Sequence, residues 1–167
     1  MKTLITATVA LLALSSTAPV SADTGRPPEA AESGSPAHAL PSPLQSALDQ
    51  YIKIQTALAS DSLKGIPEAA SAIAESAKSH PGVFPDGLAS QAAALAKAGD
   101  LQSARAAFKP LSVTLIKALS AQKEKTGKYF AATCPMAGAA WIQVGEKIAN
   151  PYFGADMLTC GSISKGL

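Results

Sequence analysis

The sequence lacks the features that mark several large classes of protein. It has no cluster of lysine and arginine, and its 14 basic residues nearly balance 12 acidic ones, which argues against a nucleic-acid binder or a membrane-surface binder. Aromatic residues make up only 5% of the chain while alanine is abundant, which favours close-packed helices over a β sandwich. The motifs of zinc proteases, phosphate-binding loops and serine hydrolases are absent. We therefore expect no enzymatic activity.

The first residues have the pattern of a secretory signal. Lys2 supplies a positive start, an apolar run follows from Leu4 to Leu14, and small residues precede an expected cleavage after Ala22. This run is too short for a membrane span, which needs about 20 apolar residues, and no later segment offers them. The sequence thus predicts a signal peptide over residues 1–22, no membrane anchor, and a location in a bacterial periplasm, where disulfides persist.

The next segment, residues 23–43, has almost no large apolar side chain. Such a segment buries too little surface to offset the entropy lost on ordering, so we expect a flexible tether. The remaining residues, 44–167, are enough for one domain with its own core.

The first part of this domain has apolar residues at three- and four-residue spacing, which predicts four amphipathic helices. Short connections between such helices favour antiparallel neighbours. The predicted fold class is therefore all-α, an antiparallel four-helix bundle. We expect the helices to run from Pro43 to Ser60, from a cap at Asp61 or Ser62 to Ser79, from Asp86 to Gly99, and from Asp100 to Leu119.

The composition changes after Gly127, where most of the aromatic residues occur among glycines and prolines without a helical period. We expect an irregular cap on the bundle, with extended pieces at 128–133 and 141–144. Asn150, directly before a proline, predicts a turn in which its side chain bonds to nearby backbone. Function is best sought in this segment, 128–163.

The segment holds four sulfur-containing residues: Cys134, Met136, Met157 and Cys160. Apart from Met1, they are all the cysteines and methionines of the chain. Thiolate and thioether groups are soft donors, which select copper(I) over calcium or magnesium. The pattern therefore predicts a copper(I) site with these four side chains as candidate ligands.

The same residues allow two ordinary interpretations. Two cysteines in an exported protein often form a disulfide, and closing this loop would stabilise the fold by roughly 3 to 4 kcal/mol. Methionine also fills gaps in irregular cores. Spacing alone leaves the metal site and the structural disulfide open, because Cys-x-Met is not a specific motif.

The C-terminal motifs, beginning with Cys134-Pro135-Met136-Ala137 and ending with Cys160-Gly161, occur together with matching residues in the helical part, such as Tyr51 and Arg105. This pattern resembles an uncharacterised domain family found at the C-terminus of Cus-type (HlyD-like) periplasmic heavy-metal efflux adaptors and as free-standing exported proteins. The resemblance spans about Leu44 to Ile163. One departure is Gln143, where the family more often has serine. The C-terminal residues that carry the resemblance are Cys134-Pro135-Met136-Ala137, Trp141-Ile142-Gln143, Ile148, Asn150-Pro151-Tyr152-Phe153-Gly154, Met157-Leu158 and Cys160-Gly161. The helical residues are Tyr51, Ile54, Ala57-Leu58, Asp61, Arg105, Ala107-Phe108 and Leu111-Ser112.

This resemblance implies a role beside copper and silver export. We expect a periplasmic protein that binds copper(I) or silver(I) through Cys134, Met136, Met157 and Cys160 and acts as a carrier or sequestering factor. The alternative is a disulfide-stapled interaction module that docks on an efflux adaptor and binds no metal.

Overall fold

The computed structural model describes residues 40–123 and 125–167. The expected signal peptide and the greater part of the expected tether lie outside these residues. None of the described helices is both long and apolar enough to cross a membrane. In chain order the elements are α1 (Ser42–Ala59), α2 (Ile66–Ser79), α3 (Leu88–Ala96), α4 (Leu101–Ser120), β1 (Tyr129–Cys134), β2 (Ala139–Val144), a 3-10 turn (Gly154–Met157) and β3 (Ser162–Gly166).

The predicted all-α class is wrong, because the C-terminal segment forms a three-stranded antiparallel sheet. The strand order is β2-β1-β3, with β1 in the centre. The extended pieces expected at 128–133 and 141–144 are strands of this sheet, not parts of an irregular cap on a helical bundle. The protein is therefore a mixed α and β fold.

The sequence does not predict the sheet, because its third strand has no strand-like pattern. Its sequence, Ser162–Gly166, is short, polar and mostly exposed, so it has no alternation of apolar and polar residues. It becomes a strand by pairing with β1, in a register that places Thr133 opposite Ser162. Strand formation of this kind depends on the neighbouring strand more than on the segment's own residues.

The helices follow the apolar periodicity, but α2 begins later than expected. The predicted caps Asp61 and Ser62 lie in the preceding turn, and the helix starts at Ile66 after Gly65, whose φ is +78°. Pro67 falls in the first helical turn, where a missing N–H costs no helical bond. The fourth helix opens where it is expected: Asp100 is the N-cap of α4 and accepts a hydrogen bond from the Ser103 N–H at 2.8 Å.

The helices pack consecutively, α1 on α2, α2 on α3 and α3 on α4, and the sheet packs on α4 and α1 through β2. The rings of Tyr51 and Phe108 stack between α1 and α4 at a centroid distance of 4.8 Å. The core continues into the sheet, where Trp141 is fully buried. The C-terminal segment therefore shares the core of the helices.

Buried hydroxyl groups join the helices to the sheet. The Tyr51 and Ser112 oxygens lie 2.7 Å apart, and the Ile142 N–H of β2 donates to the Tyr51 oxygen. Tyr152 donates to the Ala140 carbonyl at 2.8 Å. Burial raises the pKa of both tyrosines, so both stay neutral and able to donate. These contacts hold β2 against the helices. Because β1 and β2 form a hairpin, they also hold the end of β1 in place.

Candidate thiol and metal site

The fold brings the two cysteines together. Cys134 is the last residue of β1, and Cys160 lies two residues before β3, which pairs with β1 through Thr133 and Ser162. The two Sγ atoms are 2.8 Å apart, and both cysteines are free thiols. Residues 26 positions apart in the chain therefore form one dithiol pair.

Cys134 is the buried member of the pair, with 1% of its surface exposed. Its burial raises the pKa of the thiol, but hydrogen bonds from Cys160, from the backbone N–H groups of Ala137 and Met136, and from the Asn150 side chain lower the pKa further than burial raises it. The net direction is downward from the ordinary value. The turn after β1 thus surrounds this sulfur with donors that stabilise a thiolate.

Cys160 is half-buried and occupies the other side of the pair. Its contact with Cys134 raises the pKa of its own thiol, as does its partial burial. The shared proton therefore resides on Cys160 when Cys134 is a thiolate. The pair combines a buried sulfur that favours the charged form with a more accessible one that favours the protonated form.

Asn150 holds the segment that carries Cys160. Its side-chain nitrogen donates to the Cys160 carbonyl at 2.8 Å, and its side-chain oxygen accepts from the Tyr152 N–H at 2.8 Å. Its backbone N–H donates to the Leu158 carbonyl, also at 2.8 Å. The turn predicted at Asn150 is confirmed, and the same side chain reaches across the loop to position one of the candidate ligands.

Gly161 allows this loop to approach β1 closely. Its φ is +138°, and a Cβ at this position would lie 2.7 Å from the Thr133 carbonyl oxygen and 2.8 Å from the Trp141 ring. Only glycine fits both the backbone conformation and the space. Trp141 is fully buried and its indole N–H donates to Gln143 at 3.0 Å, so its role here is packing beneath the loop.

The two methionines are near the cysteines in sequence but lie in different settings. Met136 lies in the turn between β1 and β2 with 69% of its surface exposed, on the wall of a groove of about 510 Å³. Met157 is half-buried at the end of the 3-10 turn, where its carbonyl accepts from the Cys160 N–H at 3.0 Å. Of the four predicted ligands, the described structure thus brings together the sulfurs of the two cysteines, whereas Met136 contributes to a groove wall and Met157 contacts Cys160 through its backbone.

Harder donors do not gather elsewhere in the part of the chain that the structure describes. Within it, no group of three or more histidine, cysteine, aspartate or glutamate side chains is placed to hold a metal ion. Zinc or calcium sites of the usual composition need such a group. Among the described residues, the soft donors that lie within 2.8 Å of each other are the sulfurs of Cys134 and Cys160.

An ion pair clamps the segment before Cys160 to the helices. Arg105 of α4 contacts the Asp61 carboxylate at 2.5 Å and donates to the Pro151 and Leu58 carbonyls at 2.9 and 3.1 Å. The other Asp61 oxygen accepts from the Ala155 N–H at 2.8 Å. Asp61 has a positive φ of 53°, which turns its side chain toward this segment instead of capping α2.

We expect the clamp to make stability depend on pH. The Ala155 N–H and the Arg105 guanidinium lower the pKa of Asp61 below its ordinary value. The stability from the ionised carboxylate is therefore present above the unfolded pKa of about 3.9 and is lost as pH falls through the lower folded value. Urea unfolding of Asp61→Asn should show a lower midpoint than wild type at pH 7 and a smaller difference at pH 3.

The matched control is Asp156→Asn, which changes an exposed carboxyl in the same 3-10 turn. It should leave the midpoint close to wild type at both pH values. An Asp61→Asn midpoint equal to wild type at pH 7 would show that the clamp contributes nothing to stability.

The sequence does not predict the contacts that Asp61, Arg105 and Gln143 make. Asp61 and Arg105 are 44 positions apart, and nothing in their local patterns pairs them. Gln143 is almost fully buried, and its amide nitrogen donates to the Gly145 and Lys147 carbonyls at 2.9 Å. The sequence marks these polar residues because they belong to the motifs that carry the family resemblance. Their partners are known only from the fold, because they are distant in sequence or lie in loops.

Comparison with known proteins finds a similarity for the helical part of the chain. Comparison with the curated proteins and with the solved structures finds no match to the chain. Residues 47–127 match the model of a family described as "Protein of unknown function (DUF3347)". The match ends before β1, so the dithiol pair lies outside it. The helical part of this chain is therefore similar to an uncharacterised domain family.

Proposed function

We propose that this protein binds copper(I), or its congener silver(I), and acts as a carrier or sequestering factor for metal efflux in the periplasm. The observation that supports it most is the convergence of Cys134 and Cys160, whose free sulfurs lie 2.8 Å apart. Two thiols are the strongest soft donors that a protein offers, and softness is the property that selects a monovalent copper ion.

The surroundings of the pair suit a metal thiolate. The Cys134 sulfur has N–H donors from Met136 and Ala137, which offset the negative charge that a bound thiolate keeps. With metal–sulfur bonds near 2.3 Å, sulfurs 2.8 Å apart would subtend an acute angle at the ion, so they must separate on binding. Cys160, the less buried of the two, is the partner that can move toward solvent.

The thioethers suit the exchange of an ion. Met136 is 69% exposed beside an open groove, so a ligand of another protein has access to it. Thioethers bind copper(I) without the charge of a thiolate, and a weaker ligand at the entrance favours fast transfer. The proposed recipient is a periplasmic efflux adaptor, in line with the resemblance of the Cys and Met motifs.

The second candidate is an interaction module stapled by a Cys134–Cys160 disulfide that binds no metal. The observation that favours it is the same short sulfur distance, because a disulfide requires a bond of about 2.05 Å and a small further approach. The two candidates make opposite predictions for reduced protein offered copper(I).

The test is an anaerobic titration of the reduced chain with copper(I) against a chromophoric chelator. We expect the protein to remove one equivalent of copper from the chelator. Protein whose two thiols have been alkylated is the control and should remove none. If reduced and alkylated proteins compete equally, the metal proposal fails and the stapled module is favoured.

The methionines should contribute less than the thiols. We expect Met136→Leu and Met157→Leu each to weaken copper(I) binding by about tenfold, the lower end of the effect of removing a supporting group at a metal site. Leucine keeps the apolar volume of methionine and removes only the sulfur. The same chelator competition measures both. Leu158→Val, at a 40% exposed neighbouring position, is the matched control, because it changes an apolar side chain without adding or removing a sulfur, and it should leave the affinity unchanged.

A further inference from the structure

The two thiols of the pair differ in access to solvent. Cys134 is 1% exposed and sits under the turn that follows β1, whereas Cys160 is half-buried in a loop at the surface. A large reagent therefore meets Cys160 first. Cys134 faces that sulfur from within at 2.8 Å.

This arrangement has the geometry of an attacking and a resolving thiol. Forming a disulfide requires the sulfurs to approach by less than about 1 Å, to a bond of about 2.05 Å. The Asn150 side chain holds the Cys160 carbonyl, and Cys134 is the last residue of β1, so both backbones are held while the sulfurs approach.

We infer that the pair is a thiol–disulfide exchange site, in which Cys160 exchanges with an external disulfide and Cys134 resolves the product. Cys160, having lost its proton to water, attacks one sulfur of a small disulfide, whose S–S bond breaks and releases one thiolate. Cys134, also deprotonated, then attacks the Cys160 sulfur, the mixed disulfide breaks, and a second thiolate leaves. The two protein thiols are oxidised to one disulfide and the external disulfide is reduced to two thiols.

One consequence of the exchange rests on the proposed function. A Cys134–Cys160 disulfide leaves neither sulfur as a thiolate ligand, so exchange closes the metal site and reduction opens it. The protein would hold copper(I) only while its pair is reduced. The substrates of the exchange are disulfides and thiols of low molecular weight or of a partner protein.

The test uses reduced, metal-free full chain and oxidised glutathione, with quenching by an alkylating reagent and detection by intact mass. Wild type should convert to the internal disulfide without accumulating a glutathione adduct. Cys134→Ser should accumulate the adduct on Cys160. Cys160→Ser should react at least about tenfold more slowly than Cys134→Ser, because its thiol is buried.

Denatured protein supplies the control, because both single variants should react at similar rates once the fold is lost. Equal rates of the two variants in the folded state, or a persistent adduct on wild type, would overturn the assignment of roles. Circular dichroism of each variant checks that it is folded, and Cys134→Ala replaces Cys134→Ser if the serine variant is not.

Copper(I) competition by the oxidised and reduced proteins separates this inference from the proposed function. Exchange as described, with no copper bound by reduced protein, would retain the exchange site and reject the metal function. If the reduced protein binds copper but exchange is slow or unresolved, the metal function is retained and the exchange site is rejected. If both hold, the oxidised protein should bind copper at least about 100-fold more weakly than the reduced protein.

Discussion

Cys134→Ser is expected to weaken copper(I) binding more than about 100-fold, the upper end of the effect of removing a mere supporting group at a metal site. A serine hydroxyl is a hard donor that stays protonated at neutral pH, so it offers no soft anion to the ion. The substitution also leaves the N–H donors of Met136 and Ala137 without the sulfur that they face. Competition with a chelator under anaerobic, reducing conditions measures the change.

Cys160→Ser should show a loss of similar size, because either substitution leaves a single thiolate. Thr159→Ser is the matched control, since it changes an exposed neighbour of Cys160 without removing a sulfur. An affinity of Cys134→Ser equal to that of wild type, in protein with an unchanged circular dichroism spectrum, would show that the ion is not held by the dithiol pair.

The sequence was sufficient to find the helices because their signal is local. Apolar side chains recur at helical spacing along α1 and α4, and these residues are the ones that the structure buries. The sequence predicts too early a start for α2, because Asp61 has the side chain of a cap. In the fold that carboxylate accepts from Ala155 and pairs with Arg105, so a contact distant in sequence outweighs the local preference.

The sheet was not predictable in the same way. β1 and β2 contain the β-branched and aromatic residues that favour strands, but β3 is polar and takes its conformation from β1. Without β3 and its register, nothing places Cys160 beside Cys134. The choice of the four sulfur residues came from chemistry alone, whereas the 2.8 Å distance between two of them is a consequence of strand pairing.

Gly154→Ala should lower the free energy of unfolding by about 3 kcal/mol. Gly154 has a φ of +57°, and a left-handed conformation costs an alanine roughly 1 kcal/mol. A Cβ there would also collide with the Asp61 carboxylate and lie 2.6 Å from an Arg105 nitrogen, and relieving such overlap typically costs 1–3 kcal/mol. Urea unfolding measures the sum.

Gly138→Ala separates the two contributions. Gly138 has nearly the same φ, +55°, but a Cβ there would have no atom within 4 Å, so this variant should show only the backbone cost of roughly 1 kcal/mol. Equal losses in Gly154→Ala and Gly138→Ala would mean that the Asp61 and Arg105 side chains move aside freely.

A double substitution then tests whether the clamp itself is the obstacle. In an Asp61→Ala background the carboxylate is gone, and Gly154→Ala should cost little more than Gly138→Ala does in wild type. Because Gly154 begins the 3-10 turn that leads to Met157 and Cys160, Gly154→Ala should also weaken copper(I) binding in the presence of Asp61. If both stability and affinity recover in the double variant, the Asp61–Arg105 clamp affects the geometry of the dithiol pair. If stability alone recovers, the clamp affects folding only.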